Sequence, residues 1–186
     1  HATGITAALS ESCRAALEKA MIIAKKNGLT VSFDPNLRLK LWSIKEARHT
    51  LTRLMHFADI VMPGLEECKH LFGTEDVEKV HEILTSYGVR TSIIKLGAEG
   101  AVGFDGCQCV ASPGFPVKKV VDPFGAGDGF AAGFLAGRLS NKPFDDCLRI
   151  ANAVGAIAVT VKGNIEAYPT MRELNNFLSK HVGINR

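Results

Sequence analysis

Between Leu9 and Asn27 the apolar residues Leu9, Cys13, Ala16, Leu17, Ala20, Ile23 and Ala24 recur on one face at helical spacing, which predicts an amphipathic helix. Ser10 suits its N-cap, and Asn27-Gly28 supplies its stop. Leu29 to Phe33 is a short apolar, β-branched run that ends at Asp34-Pro35 and predicts a buried strand. Ser43-Ile44-Lys45-Glu46 has the form of a capping box, in which the Ser and Glu side chains each satisfy an orphan backbone N–H, and it opens a helix to about His56. Ile60 to Met62 predicts another buried strand, closed by Pro63-Gly64. Helices follow near Glu66 to Phe72 and Val77 to Tyr87, and Thr91 to Leu96 is the third buried strand. Ala101 to Phe104 and Cys107 to Ala111 read as a hairpin, because Asp105-Gly106 between them suits a tight turn with positive φ. Val120-Val121 reads as a strand entering a glycine-rich turn and a helix to about Leu139. Helices from Asp145 to about Thr160 and from Met171 to His181 complete the pattern.

Strands that are apolar throughout and alternate with helices imply a mainly parallel sheet covered on both faces, in a single α/β domain. Ligands on such sheets bind beyond the carboxyl ends of the strands. Composition agrees: 186 residues, 46% apolar and 22% charged, suffice for one soluble domain with a sizeable core. Lys plus Arg is 22 and Asp plus Glu is 19, a net +3, and no basic tract is interleaved with aromatics, so nucleic acid is not an expected partner. No apolar run reaches the roughly 18 residues of a membrane-spanning helix. His1-Ala2-Thr3-Gly4 lacks the order of a secretory signal. The five cysteines at 13, 68, 107, 109 and 147 read as reduced core thiols of a cytoplasmic protein. Cys107-x-Cys109 puts two thiols on one face of a hairpin strand, without the further ligands zinc needs.

The chemistry concentrates in Val121-Asp122-Pro123-Phe124-Gly125-Ala126-Gly127-Asp128-Gly129-Phe130. Gly125, Ala126 and Gly127 leave their N–H groups uncrowded at a helix N-terminus, where orphan donors and the helix dipole favour an anion. A carboxylate at that point, Asp128, is awkward beside an anion unless it accepts a proton from an attacking hydroxyl. Read alone, the turn is equally a glycine-rich connection with Asp128 as a first-turn acid. Gly129, Gly133 and Gly137 form a ridge at i, i+4 spacing that lets a neighbour approach closely.

Asp-Pro-x-Gly-Ala-Gly-Asp followed by Gly-Phe-Ala-Ala-Gly-Phe resembles the C-terminal signature of the ribokinase-like (PfkB) carbohydrate kinases, and the resemblance covers nearly the whole chain. It implies a ribokinase-like three-layer α/β/α fold with a mainly parallel sheet, and ATP with Mg²⁺ as cofactors. It implies that the backbone of Gly125, Ala126 and Gly127 forms the anion hole for the transferring phosphoryl group, and that Asp128 is the base acting on the sugar hydroxyl. Asp122 matches a position that helps hold a monovalent cation in some members, and it also suits turning the chain before Pro123. Lys95-Leu96-Gly97-Ala98-Glu99-Gly100 resembles the nucleotide loop, in which Gly97 and Gly100 let backbone approach ribose and phosphate while Lys95 adds charge. Read alone, that segment is a strand-to-hairpin turn. Asn152 matches a residue lining the adenine pocket, against the alternative of a buried helix Asn bonded to nearby backbone.

Asp34-Pro35-Asn36-Leu37-Arg38-Leu39-Lys40-Leu41-Trp42 follows a buried strand and so lies at the ligand-binding edge, with Trp42 as a packing anchor. Arg38 can grip a carboxylate bidentately or pair with a local acid such as Asp34. The segment resembles 2-keto-3-deoxygluconate kinases, whose Arg here contacts the sugar acid, and also some fructokinases. Asp59 to Glu67 and Val161 to Glu166 favour the former. Two departures stand out: many members have Asn-x-x-Glu handling Mg²⁺ where this chain has Gly64 and Glu67, and Asp is common where this chain has Asn164. Glu67 and Asp122 are therefore the metal candidates, and Asn164 joins Arg38 and Asp128 as a substrate contact. The expected activity is ATP-dependent phosphorylation of 2-keto-3-deoxygluconate to its 6-phosphate. A fructokinase is the alternative enzyme, and a non-catalytic binding protein or inactive fragment the alternative from another class. Residues 1–186 are expected to be the C-terminal nucleotide-binding and catalytic part of a longer kinase, with the first strands and the lid lying outside it and a homo-oligomer in the full-length protein.

Overall fold

The computed structural model describes residues 1–163 and 165–181. Strand β1 (Ala2–Thr3) leads directly into α1 (Gly4–Leu9), two short elements that the hydrophobic pattern does not announce. Ser10 Oγ accepts the Cys13 N–H at 3.1 Å and starts α2 (Glu11–Lys26). After β2 (Ser32–Asp34), Ser43 Oγ accepts the Glu46 N–H at 3.2 Å and starts α3 (Ile44–Met55). Only half of the expected capping box forms there, because the Glu46 carboxylate is drawn 2.9 Å to Arg14. The chain continues through β3 (Ile60–Val61), α4 (Leu65–Phe72), α5 (Val77–Ser86), β4 (Thr91–Lys95), β5 (Gly100–Asp105), β6 (Gln108–Pro113), α6 (Ala126–Leu139), α7 (Phe144–Ala158) and α8 (Met171–Lys180).

The six strands form one mixed sheet in the order β1-β2-β3-β4-β5-β6. The first four run parallel, with Ala2 opposite Phe33, Phe33 opposite Val61 and Val61 opposite Ser92. A connection of two residues, Gly106-Cys107, can only make β5 and β6 an antiparallel hairpin. The turn sits one residue later than Asp105-Gly106, with Gly106 at φ 60°. One predicted strand is absent. Val120 and Val121 lie exposed and unpaired with any strand, because the N–H groups of Val121 and Asp122 both turn to the Val159 carbonyl at the end of α7.

The chain divides into two compact units, His1–Leu96 with Val102–Cys109, and Gly97–Ala101 with Val110–Arg186. In the first, Phe33, Leu51, Leu54, Met55, Val61, Val80, Leu84 and Ile94 form a fully buried core. Its central strands are buried on both faces, as parallel strands under helices are. Trp42 anchors its loop in this core, with the Arg14 guanidinium 5.5 Å from the ring centroid. In the second unit, α6 and α7 approach along the glycine ridge. A Cβ at Gly133 would sit 3.0 Å from the Ala151 Cα and 3.0 Å from a Val154 methyl. Ile150, Ala153, Val154 and Leu174 complete the core there, with Phe115 and Phe177 packed against it. Among the described residues no helix is long and apolar enough to cross a membrane.

The cysteines depart from the expectation of five core thiols: Cys68 and Cys147 are buried, but Cys107 and Cys109 are exposed at the hairpin tip. Cys107 occupies the turn rather than the strand face, which removes the paired arrangement inferred for it. Burial pushes the Cys68 thiol up to about 12, with the neighbouring Glu67 charge adding to the effect. Iodoacetamide at pH 8 is therefore expected to label Cys107 and Cys109 in the native protein and Cys68 only after unfolding, as read by peptide mass spectrometry.

Candidate active site

In the first unit, the carboxyl ends of the adjacent parallel strands β2, β3 and β4 bring three candidate residues together. Asp34 closes β2 and is almost wholly buried, and Lys95 closes β4; its ammonium lies 2.6 Å from Asp34 Oδ2. The ammonium is thus held by a buried acid, so the local charge expected for a nucleotide loop is directed at Asp34. Asp34 Oδ1 accepts the Asn36 N–H at 3.1 Å. Asn36 adopts φ 41°, and its Oδ1 is buried without a partner among the described residues. Such strain in a non-glycine residue gathers at functional loops.

Glu67 lies in the first turn of α4, where the helix cap is Gly64 and has no side chain to contribute. The Glu67 carboxylate supplies what the cap lacks. Its Oε2 accepts the Gly64 N–H at 2.7 Å, and its Oε1 accepts the Leu37 N–H at 2.6 Å. Burial pushes the Glu67 carboxyl above the usual range; the Lys95 charge and the two N–H donors work against that rise, and Asp34 adds to it. Both oxygens thus face backbone donors, a poor fit to a direct metal ligand. Arg38, the next residue after Leu37, is exposed and hydrogen-bonds the Leu37 carbonyl at 3.2 Å. The local acid considered as its partner, Asp34, is taken by Lys95.

In the second unit, the glycine-rich turn behaves as its composition implies. Gly125 stands at φ 77°, a conformation open to glycine, and α6 begins at Ala126 with no side chain capping it. The exposed Asp128 lies in that first turn. Asp122 Oδ1 accepts the Phe124 N–H at 3.0 Å and so turns the chain around Pro123. Tyr168, which the sequence reading passed over, braces the turn: its hydroxyl donates to the Gly125 carbonyl at 2.9 Å, and its ring lies 3.0 Å from where a Gly129 Cβ would stand. Burial raises the Tyr168 hydroxyl, and the Asp128 charge adds to the rise. Nothing local marks Tyr168, since its partner is 43 residues away.

Gly100 and Asn152 meet through the segment Ser112–Gly114, while Gly97, at φ 64°, has open space where a Cβ would stand. A Cβ at Gly100 would lie 2.2 Å from the Ser112 carbonyl oxygen, and Gly114 N–H donates to the Glu99 carbonyl at 3.0 Å. Asn152, buried on α7, gives its amide N–H₂ to the Ser112 carbonyl at 2.9 Å, the Ser112 hydroxyl at 3.0 Å and the Pro113 carbonyl at 3.3 Å. The amide nitrogen thus staples α7 to the end of β6. Asn164 lies outside the described residues. Among the described residues no group of three His, Cys, Asp or Glu side chains could hold a metal ion.

The profile of the family described as pfkB family carbohydrate kinase matches residues 1–171. The chain is 37% identical to the 2-dehydro-3-deoxygluconokinase of Bacillus subtilis (strain 168) over 180 residues, which cover 96% of this chain and 56% of that protein. It is 34% identical to fructokinase-1 of Zea mays over 186 residues, covering 95% of this chain and 57% of that one. The crystal structure of a putative ribokinase II from E. coli in complex with ATP and Mg²⁺ superposes with a TM-score of 0.87 at 33% identity, over 96% of this chain and 57% of that one. The chain thus spans about half the length of the curated relatives it matches. These likenesses establish the ribokinase-like α/β fold.

The backbone contacts at the two loops of the second unit carry distinct expected costs. Gly100→Ala, which combines φ 106° with a carbonyl 2.2 Å from the new methyl, is expected to lose more than about 2 kcal/mol in urea unfolding. Tyr168→Phe, which removes the hydrogen bond to the Gly125 carbonyl and keeps the ring, is expected to lose about 1 kcal/mol or more.

Proposed function

The chain belongs to the pfkB family of carbohydrate kinases, and on that premise we propose that it carries the catalytic and nucleotide-binding part of an ATP-dependent kinase acting on a sugar acid, 2-keto-3-deoxygluconate, at its 6-hydroxyl. The observation that carries the reading is the start of α6: an uncapped helix N-terminus behind Gly125, with the exposed carboxylate of Asp128 in its first turn. N–H donors with no side-chain cap suit phosphate oxygens there, the Ala126 N–H resting on the Pro123 carbonyl at 3.4 Å. A carboxylate beside them suits a base that receives a proton as charge moves onto the phosphoryl group.

In this reading Asp128 removes the proton of the sugar hydroxyl, and the oxygen attacks the γ-phosphorus of ATP in line. The bond from that phosphorus to the β-bridging oxygen breaks, and ADP leaves. The N–H groups of Gly125, Ala126 and Gly127 hold the transferring oxygens. Gly97 and Gly100 let backbone approach ribose and phosphate, and Asn152, its amide nitrogen fixed on Ser112 and Pro113, orders the adenine end. Mg²⁺ neutralises phosphate charge in reactions of this class. Glu67, with both oxygens on backbone N–H groups, does not suit direct ligation, and among the described residues Asp122 belongs to no cluster of three metal-ligating side chains. The metal therefore belongs to the ATP phosphates in this proposal, and no step depends on a protein ligand to it.

The choice of a sugar acid rests on Arg38, whose exposed guanidinium bonds the Leu37 carbonyl rather than Asp34 and can turn its outer N–H groups to a carboxylate. The similarity to fructokinase-1 of Zea mays makes fructose phosphorylation the second reading. The named relatives are kinases, so a non-catalytic binding protein is not the alternative. In the complete protein, turnover of 2-keto-3-deoxygluconate is expected to exceed turnover of fructose, and the reverse preference would overturn the assignment. Asp128→Asn is expected to lower kcat by ~10²- to 10⁴-fold while calorimetry still shows nucleotide binding. Substantial remaining turnover would remove Asp128 from the role of base.

A further inference from the structure

The loop that presents Arg38 is held by two carboxylates acting on successive backbone N–H groups. Asp34 Oδ1 takes Asn36 N–H at 3.1 Å, and Glu67 Oε1 takes Leu37 N–H at 2.6 Å. Each carboxylate is tied at its other oxygen to a neighbouring strand end. Asp34 Oδ2 meets the Lys95 ammonium at the end of β4, 2.6 Å away, and Glu67 Oε2 takes the Gly64 N–H beyond β3, 2.7 Å away. Lys95 N–H in turn donates to the Pro63 carbonyl at 2.8 Å, so the ends of β3 and β4 are themselves joined. The loop between these ties contains Asn36 at φ 41°, a conformation that does not persist without external restraint. Arg38 itself is exposed and bonded to the Leu37 carbonyl, so the path of its backbone is set by residues 36 and 37 rather than by packing of its own side chain.

We propose that Asp34, Glu67 and Lys95 are positioning residues that fix the loop carrying Arg38 and thereby set affinity for the sugar acid. The inference rests on the reading of Arg38 as the carboxylate grip. It assigns Glu67 a task other than metal handling, and Lys95 one other than phosphate contact. Glu67→Gln is the decisive change, because it keeps the shape but turns an N–H₂ group toward one of the two N–H donors. Charge-assisted bonds of this kind are strong, and an unmatched donor pair costs more than a lost bond.

In the complete protein, Glu67→Gln is expected to raise the KM for the sugar acid by ~10-fold or more, with the KM for ATP and the Mg²⁺ dependence unchanged. Hydrogen exchange at the Leu37 amide, followed by mass spectrometry, is expected to quicken by a similar factor. In an Arg38→Ala background the same substitution is expected to change the sugar-acid KM by less than about twofold, because residues that act through one another are not additive. A rise in Mg²⁺ requirement without a change in sugar-acid KM would overturn the proposal in favour of metal handling. An equal KM rise in both backgrounds, or unchanged Leu37 exchange, would overturn it in favour of a merely structural staple. If Arg38→Ala alone leaves the sugar-acid KM unchanged, the substrate reading of Arg38 fails and positioning fails with it. Leu37 exchange still reports separately whether the two carboxylates hold the loop. Should Glu67→Gln not fold, Glu67→Asp is measured instead, because its shorter arm reaches one of the two N–H donors and is expected to give a smaller rise in sugar-acid KM.

Discussion

The Asp34 carboxylate is withdrawn from water at the end of a buried strand, and burial of an unpaired charge is among the most costly events in a protein interior. Lys95 answers it across 61 residues of sequence, with its ammonium 2.6 Å away and itself largely covered. The pair requires β2 and β4 to run parallel and end at one edge, with β3 between them, and the sheet order provides that. Removing either partner would leave the other charge stranded, so the pair ties the ends of β2 and β4, and the residues just beyond them, to one arrangement. The Glu67 carboxyl shares this electrostatic environment: Lys95 tempers the rise that burial imposes on it, and Asp34 adds to it. The high proton affinity of the Cys68 thiol belongs to the same covered region.

A different constraint organises the second unit, where backbone meets backbone with no side chain between. Gly100 against Ser112, Gly114 against Ala98 and Gly133 against Ala151 are contacts that any Cβ would obstruct. The closeness of α6 and α7 follows from that ridge of small residues, and with it the position of the first turn of α6 relative to Asn152 on α7. Tyr168 adds a polar tie at the Gly125 carbonyl, so the turn ahead of Asp128 is restrained on both its backbone and its glycine face. Preorganised N–H groups are effective toward an anion only when such restraint holds them still.

Much of this was legible before the fold was known. The helices from Glu11, Ile44, Val77, Ala126, Phe144 and Met171 follow the apolar spacing, and the caps at Ser10 and Ser43 sit where residue type placed them. The glycine ridge was readable as a close approach because i, i+4 spacing puts those residues on one face. The short strand at Ala2–Thr3 shows the limit, whereas the equally short Ile60–Val61 falls within the apolar run expected from Ile60 to Met62. A run of two residues carries little periodic signal, and Val120-Val121, with a better local signal for a strand, finds its hydrogen-bond partner in the Val159 carbonyl instead.

Residue chemistry taken alone pointed to the positions worth weighing: a glycine-rich turn at a helix start with a carboxylate beside it, an arginine just after a strand end, and an α/β alternation. The tertiary structure decided which charges are free to act. Lys95 and Glu67 are, by type and position, as suited to phosphate and metal as to anything else. They are occupied because Asp34, Leu37 and Gly64, 61, 30 and 3 residues away, arrive at their polar atoms in the folded chain. A pattern of neighbours along the sequence carries no information about the partners 61 and 30 residues away, since a hydrogen bond is set by distance and direction in space.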